Sequence, residues 1–214
     1  LPETITLDNQ TDVEAAREAY NALTDAQKAL VEEETLNKLS DAEDALEVVL
    51  DDKAAADDAA ALIDALPEEV TLDDQADIEA ARAAYDALTD DQKAYVDDET
   101  LAALTDAEEA IAALTADKAT ADAVTELINA LPTENITVSD AEQINAASDA
   151  YDALTDSQKS FVDEETVNAL TAAKNALEQA YEDKAEADAV TDQISTLPET
   201  ITLDDQADVE AARA

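Results

Sequence analysis

Glycine, cysteine and histidine are absent from the 214 residues of this chain. Domains rich in β-structure use glycine in tight hairpins and at positive-φ positions, so its absence favours an all-helical fold. Without cysteine the chain has no disulfide framework, no zinc-finger site and no thiol chemistry. Because it also lacks histidine and a glycine-built phosphate cradle, we predict no catalytic residue, no cofactor and no enzyme activity.

Basic residues are scarce as well: 11 lysines and arginines stand against 56 acidic residues, which gives a formal net charge of −45. Such a chain repels nucleic acid and anionic lipid, so we expect neither as a partner. No apolar run is long enough to span a membrane, and we predict no membrane insertion. Repulsion among the carboxylates opposes compaction and favours an elongated monomer.

Aromatic residues make up only 3% of the sequence, although 46% of the residues are apolar and many of these are alanine. Small side chains let helix backbones approach one another closely. We therefore predict thin cores between closely spaced helices.

An internal repeat is the main signal in the sequence. Leu-Pro pairs begin at Leu1, Leu66, Leu131 and Leu197, at steps of 65, 65 and 66 residues. The extra residue of the last step falls just after Leu131, in a connection where an insertion costs least. Residues 197–214 repeat the start of the chain, so we expect a segment of a longer polypeptide. A tyrosine motif, Ala-Tyr-(Asn/Asp)-Ala-Leu-Thr-Asp, follows the same steps at Tyr20, Tyr85 and Tyr151.

A helix is predicted soon after each Leu-Pro pair, and we assign it as the second helix of its bundle. Apolar residues at helical spacing between Val13 and Leu23 indicate about four turns, ending at Thr24. An Asp or Ser precedes this run in each copy, and Ser139 with Glu142 makes a capping-box pattern. The four predicted N-caps are Asp8, Asp73, Ser139 and Asp204.

A second cap pattern, Thr-Asp-x-Gln, begins at Thr24, Thr89 and Thr155 and predicts one further turn of helix. We expect this turn to direct a large apolar side chain and the following valine towards the core. The pairs in question are Leu30–Val31, Tyr95–Val96 and Phe161–Val162.

A long helix is predicted next, because no proline interrupts the 3-4 apolar spacing from Glu34 to Leu66. About 33 residues span about 50 Å, which is twice the length of the neighbouring helix. The mismatch in length is resolved if neighbouring bundles share the long helix, so that its first half belongs to one bundle and its second half to the next. We therefore predict an all-α array of tandem three-helix bundles joined by shared continuous helices, a spectrin-like elongated rod. A capping-box pattern at Ser40–Glu43 leaves a later start, near residue 41, open.

After each Leu-Pro pair, alternating apolar residues such as Ile5 and Leu7 predict a short extended link that plugs the end of a bundle. A paired β-strand is the alternative, although the link has only about four residues. The predicted organisation is a partial repeat at 1–51 (helices two and three), complete three-helix repeats at 52–117 and 118–183, and a partial repeat at 184–214 (helix one and the start of helix two).

Lys53, Lys118 and Lys184 occupy one repeat position, where the two halves of the long helix meet. In an enzyme they would be desolvated nucleophiles. We favour a structural role, with each stem covering the junction and each ammonium reaching a neighbouring carboxylate such as the preceding aspartate.

Arginine precedes the motif tyrosine by three residues at Arg17 and Arg82, but Ser148 replaces it in the third copy. That loss argues against a catalytic role and against an obligatory ion pair. The motif tyrosines are predicted to bury their rings and keep their hydroxyls at the surface.

Acidic clusters such as Asp73–Asp77 and Asp97–Glu99 offer oxygen ligands for calcium. Their spacing does not match an EF-hand loop, and carboxylates at helix N-termini are already favoured by the helix dipole. We therefore predict no metal site, and calcium-dependent stiffening remains a lesser hypothesis.

The stretch Ile78–Val96, Ile-Glu-Ala-Ala-Arg-Ala-Ala-Tyr-Asp-Ala-Leu-Thr-Asp-Asp-Gln-Lys-Ala-Tyr-Val, resembles a helical repeat of large Gram-positive surface proteins that are secreted or anchored in the cell wall. Every period of this chain carries the pattern. The resemblance, which extends to FIVAR-like spacer modules, implies an extracellular stalk that separates functional domains. It supplies no active-site or ligand residue.

The predicted function is a structural spacer that projects other domains from the cell, so its partners are the flanking domains of the same polypeptide. Alternatively, each bundle is an adhesin module that binds a host or cell-surface protein. That alternative requires an exposed apolar patch on every copy, with Leu30, Tyr95 and Phe161 as the nearest candidates.

Overall fold

A computed structural model describes residues 2, 4–197, 206–211 and 213 of the chain. Helices and turns account for this part of the chain, which contains no strand, so the predicted all-α fold is confirmed. Two compact units are present, Leu1–Leu114 and Thr115–Ala214. The helices are α1 (Gln10–Asn21), α2 (Asp25–Lys28), α3 (Glu33–Asp64), α4 (Gln75–Ala87), α5 (Asp90–Lys93), α6 (Asp98–Asn129), α7 (Ala141–Asp152), α8 (Asp156–Lys159), α9 (Glu164–Ser195) and α10 (Gln206–Ala211).

The three long helices, α3, α6 and α9, each have 32 residues. They are continuous through Lys53, Lys118 and Lys184, as predicted from the uninterrupted apolar spacing. The start near residue 34 is also confirmed. The later start near residue 41 is wrong, because Ser40 lies inside α3 and Thr105, its counterpart in the next copy, donates to the carbonyl of Leu101 within α6.

The Thr-x-x-Gln caps of α2, α5 and α8 are confirmed in all three copies. In α5, the backbone N–H of Gln92 donates to Thr89 Oγ1 at 3.3 Å, and the backbone N–H of Thr89 donates to Gln92 Oε1 at 2.9 Å. Two backbone donors that would otherwise be left unpaired at a helix start are thus satisfied.

Replacing Thr89 by alanine removes one of these acceptors, so we expect a loss of about 1 kcal/mol in the free energy of unfolding. Thr89→Ser keeps the hydroxyl and is the matched control. Urea denaturation followed by circular dichroism measures both variants, and an equal loss in the two would contradict the capping role.

The predicted N-caps Asp8, Asp73 and Ser139 are wrong, and Asp204 lies outside the described residues. In each case a threonine two residues earlier begins a short 3₁₀ turn that leads into the α-helix. In the second copy, Thr71 donates to the Asp74 carboxylate from its backbone N–H at 2.8 Å and from its hydroxyl at 2.7 Å. The turns are Leu7–Asn9, Leu72–Asp74 and Val138–Asp140.

The links after the Leu-Pro pairs contain no strand among the described residues, so the β-strand alternative is wrong there. The predicted plugging role is confirmed, since Ile5 is buried in a core with Val13 and Leu46, and Ile136 packs against the core of the second unit. Asn135 has a positive φ of 53°, a conformation that asparagine tolerates better than most residues, and it lies in the link that carries the extra residue.

Three helices meet in each complete core. In the first unit, Ile63 of α3, Ala81 of α4 and Leu104 of α6 form one buried cluster. In the second unit, a buried cluster combines the second half of α6 with α7 and α9, and includes Ile128 and Ile144. Alanines at these contacts let the helices approach closely, which agrees with the predicted thin cores.

The prediction that Leu30 points towards the core is wrong, because this residue is 82% exposed. Its counterpart Tyr95 is 37% exposed, whereas Phe161 packs against the core of the second unit. Because adjacent residues in a tight turn point in different directions, only one residue of each pair can face the core fully. In the third copy this is the second residue of the pair, the buried Val162.

Candidate functional site

A polar pair joins the second and third helices of each bundle. Nε and Nη2 of Arg82 in α4 donate to the two carboxylate oxygens of Glu108 in α6 at 2.5 and 2.6 Å. Arg17 and Glu43 form the same two-pronged contact between α1 and α3. The fork geometry fixes the angle between the helices as well as their separation.

The third copy changes both members of this pair together. Ser148 replaces the arginine and Lys174 replaces the glutamate, and Lys174 Nζ donates to Ser148 Oγ at 2.8 Å. The loss of arginine is evident in the sequence, but its partner, which lies 26 residues later in every copy, was not predicted. Comparing positions 26 residues apart would have revealed the joint change.

Five described carboxyl groups have pKa values held below their ordinary values. Hydrogen bonding to Arg82 is the largest cause of the lowered pKa of Glu108, and Arg17 acts in the same way on the pKa of Glu43. The other three groups cap helices or turns: the threonine hydroxyl lowers the pKa of Asp74, and backbone N–H groups lower those of Asp97 and Asp163.

These shifts predict the pH dependence of stability. A carboxyl group whose pKa is lower in the folded chain stabilises fully above its unfolded pKa, and this contribution is lost as pH falls through the folded value. Acidification also relieves the repulsion of the −45 charge until the isoelectric point, near 4.1. We therefore expect thermal stability to rise from about pH 7 to about pH 4 and to fall below that.

Melting curves followed by circular dichroism at low protein concentration test this profile. Adding about 0.5 M NaCl should flatten the rise, because salt screens the repulsion, but should leave the acid fall in place. A melting temperature that drops continuously from about pH 7 to about pH 4 would contradict the prediction.

The junction lysines bind a different carboxylate from the one predicted. Lys118 Nζ donates to both carboxylate oxygens of Asp122 at 2.8 and 2.6 Å, and Lys184 does the same to Asp188. Lys53 donates to one carboxylate oxygen of Asp57. Residues four apart are neighbours on a helix surface, whereas the preceding aspartate points elsewhere. All three lysine side chains are exposed, which does not fit a desolvated nucleophile.

Two of the three aspartates before these lysines, Asp52 and Asp117, accept hydrogen bonds from the short helices instead. Gln92 Nε2 in α5 donates to Asp52 Oδ1 in α3 at 3.0 Å, and Gln158 Nε2 in α8 donates to Asp117 Oδ1 in α6 at the same distance. The recurring glutamine therefore has two functions: it closes the cap of its own helix, and it ties that helix to the junction. Only the first of these functions was predicted from the sequence.

The motif tyrosines are half-buried, and each ring lies beneath the lysine that follows the cap glutamine. The Nζ of Lys93 is 5.4 Å from the centre of the Tyr85 ring and donates to the carbonyl of Asp86 at the end of α4. These lysines thus cap the C-terminus of the second helix, where a cation complements the helix dipole.

Among the residues that the structure describes, no group of three or more acidic side chains is arranged to hold a metal ion. Within the same residues, no helix is both long and apolar enough to cross a membrane. Comparisons of the chain with protein-family models, with curated proteins and with solved structures gave no match.

Proposed function

We propose that this chain is a spacer within a bacterial surface or secreted protein, where it holds other domains away from the cell. The observation that carries the proposal is the continuity of α3, α6 and α9 through the repeat junctions. A helix without a break transmits bending and pulling forces from one bundle to the next, whereas a coil linker would let each bundle swivel.

The uniformity of the repeats supports the same function. Three features recur at matched positions rather than in one specialised copy: the cap pattern, the junction lysine, and the hydrogen bond from the cap glutamine to the aspartate before that lysine. A ligand or substrate site usually distinguishes one copy from its neighbours, whereas a spacer requires only that the helices of every copy pack in the same way. The resemblance to repeats of Gram-positive surface proteins supports an extracellular location.

Small-angle X-ray scattering of the chain tests the proposal. A spacer should give an elongated particle in which each repeat adds roughly 25–35 Å, as follows from the helical rise. The measurement belongs at about 0.15 M salt, where repulsion between distant charges is screened and cannot by itself stretch the chain. Scattering typical of a compact globule would overturn the proposal.

One observation favours a second function, a protein-binding module. Leu30 and Tyr95 are exposed at the same repeat position in the first two copies, whereas Phe161 of the third copy packs against the core. Leu62 and Leu127 are 46% and 49% exposed at another position. Capture of a host protein from serum or mucus by the chain, lost in a Leu30→Ser/Tyr95→Ser variant but kept in Leu62→Ser/Leu127→Ser, would support binding through the first position. Equal capture by both variants would contradict it.

A further inference from the structure

Two asparagines of the chain carry the acceptor pattern for an N-linked sugar. Of the eight asparagines in the sequence, only Asn9 and Asn135 are followed by a threonine two residues later. The pattern Asn-x-Thr marks the attachment of an oligosaccharide to the side-chain amide, on surface segments of secreted proteins. The structure gives the two asparagines very different environments, which decides between them.

Asn9 is committed to the fold. Its side-chain oxygen accepts from the backbone N–H of Thr6 at 2.9 Å and from the Thr6 hydroxyl at 3.2 Å. Asp74 and Asp140 bind the threonine at the same repeat position in the later copies. Because a carboxylate replaces the amide there, this position requires only an oxygen acceptor, and we assign Asn9 a structural role.

Asn135 has the opposite environment. It is exposed in the link between α6 and α7, and its side chain makes no hydrogen bond with any residue that the structure describes. The link from Leu131 to Thr137 is one residue longer than its counterpart at 66–71, so it contains a residue that the other links lack. The amide of Asn135 can therefore carry a large substituent without disturbing the helices on either side.

We propose that Asn135 is a site of N-linked glycosylation. In the transfer, Nδ2 of Asn135 forms a bond to the anomeric carbon of a sugar carried on a polyprenyl diphosphate. The bond from that carbon to the diphosphate oxygen breaks, and the diphosphate leaves with the bonding electron pair. The amide proton passes to a basic group of the transferase, so nothing is oxidised or reduced. This inference rests on the extracellular location in the proposed function, because the modification belongs to exported chains.

The folded link determines when the sugar is attached. Thr137, the second member of the acceptor pattern, donates to the Asp140 carboxylate from its backbone N–H at 2.8 Å and from its hydroxyl at 2.9 Å. An enzyme that recognises this hydroxyl therefore acts before the turn at Val138–Asp140 has formed. After folding, the sugar extends into solvent from the exposed Asn135.

A sugar at Asn135 would protect the longer link from proteases, which cut exposed connections preferentially. Glu134 is exposed directly before Asn135, whereas Glu68 and Glu69 are exposed in a link without an acceptor pattern. We expect a glutamate-specific protease to cut the protein from its native source several-fold more slowly after Glu134 than the same chain made by a host without the transferase. Cleavage after Glu68 and Glu69 should be equal in the two preparations. Equal cleavage after Glu134 as well would contradict the protection.

Peptide mapping of the protein from its native source tests the modification itself. Trypsin cuts after lysine and arginine, so Asn135 falls in the peptide 119–159 and Asn9 in a peptide that ends at Arg17. Mass spectrometry should find sugar units on the first peptide, with fragmentation placing them on Asn135, and none on the second. Asn135→Asp keeps a residue that tolerates the positive φ of 53°, and it should return the first peptide to its bare mass.

Three results would overturn the inference in distinguishable ways. A bare peptide 119–159 from an exported chain would exclude glycosylation and leave the spacer function in place. Sugar that persists in Asn135→Asp, or that is equally abundant on Asn9, would exclude the assignment to Asn135. Recovery of the chain from inside the cell would exclude the extracellular location on which both the spacer function and the modification rest.

Discussion

Replacing Ala54 by proline is expected to lower the free energy of unfolding by about 3 kcal/mol or more. Ala54 is exposed in the middle of α3, next to Lys53, so the change affects the backbone and little else. Proline removes one N–H from the helical hydrogen bonds, and its ring clashes with the carbonyl of Leu50. For a chain of this length, such a loss lowers the melting temperature by about 6–12 °C.

The position of the proline provides the control. Glu33→Pro introduces the same residue at the first position of α3, where the N–H has no partner within the helix and proline is tolerated. Thermal and urea denaturation by circular dichroism should show a large loss for Ala54→Pro and a small one for Glu33→Pro. Equal losses would mean that α3 is not a mechanically continuous helix at Lys53.

Exchanging the Arg82–Glu108 pair for the pair of the third copy should reveal strong coupling between the two positions. Both side chains are about one-third exposed, which weakens the ion pair by solvent screening. We expect Arg82→Ser alone to cost about 1 kcal/mol, because Glu108 loses its two-pronged partner. Glu108→Lys alone should cost about 1–2 kcal/mol, because it places two cations together.

The double variant Arg82→Ser/Glu108→Lys should recover most of that loss, since it recreates the Ser148–Lys174 hydrogen bond. A double-mutant cycle from urea denaturation then gives a coupling energy of about 1 kcal/mol or more. Raising the salt concentration should shrink the penalty of Glu108→Lys, because screening weakens the repulsion of the two cations. Losses that simply add would show that the two positions act independently.

Much of the fold follows from the sequence because each signal recurs in register. The uninterrupted spacing from Glu34 to Leu66 predicted α3, and the Thr24 cap pattern predicted α2. The N-cap at Asp8 was wrong because two cap patterns overlap within a few residues, and a local pattern alone does not decide between them. The 3₁₀ turn that begins after Thr6 is the one that forms.

Contacts between helices were harder to predict than the helices themselves. Spacing within a helix shows which face is apolar, but the Arg82–Glu108 pair joins two helices whose relative register a single copy does not reveal. The direction of Leu30 was missed for a related reason: two adjacent apolar residues compete for one core position. Comparison of the three copies supplies this information. Positions 148 and 174 change together in the third copy, which identifies them as contact partners, whereas a single copy does not.

The different pair in the third copy has a consequence for how the chain reaches its native state. Near-identical repeats can exchange helices while they fold, because a surface built for one helix also fits its counterpart from another repeat. A wrong bundle of α4 with α9 would place Arg82 beside Lys174, and one of α7 with α6 would leave Glu108 beside Ser148 without a cation. The changed pair of the third copy thus disfavours exchange of its helices with those of the first two copies, which share the same Arg–Glu pair.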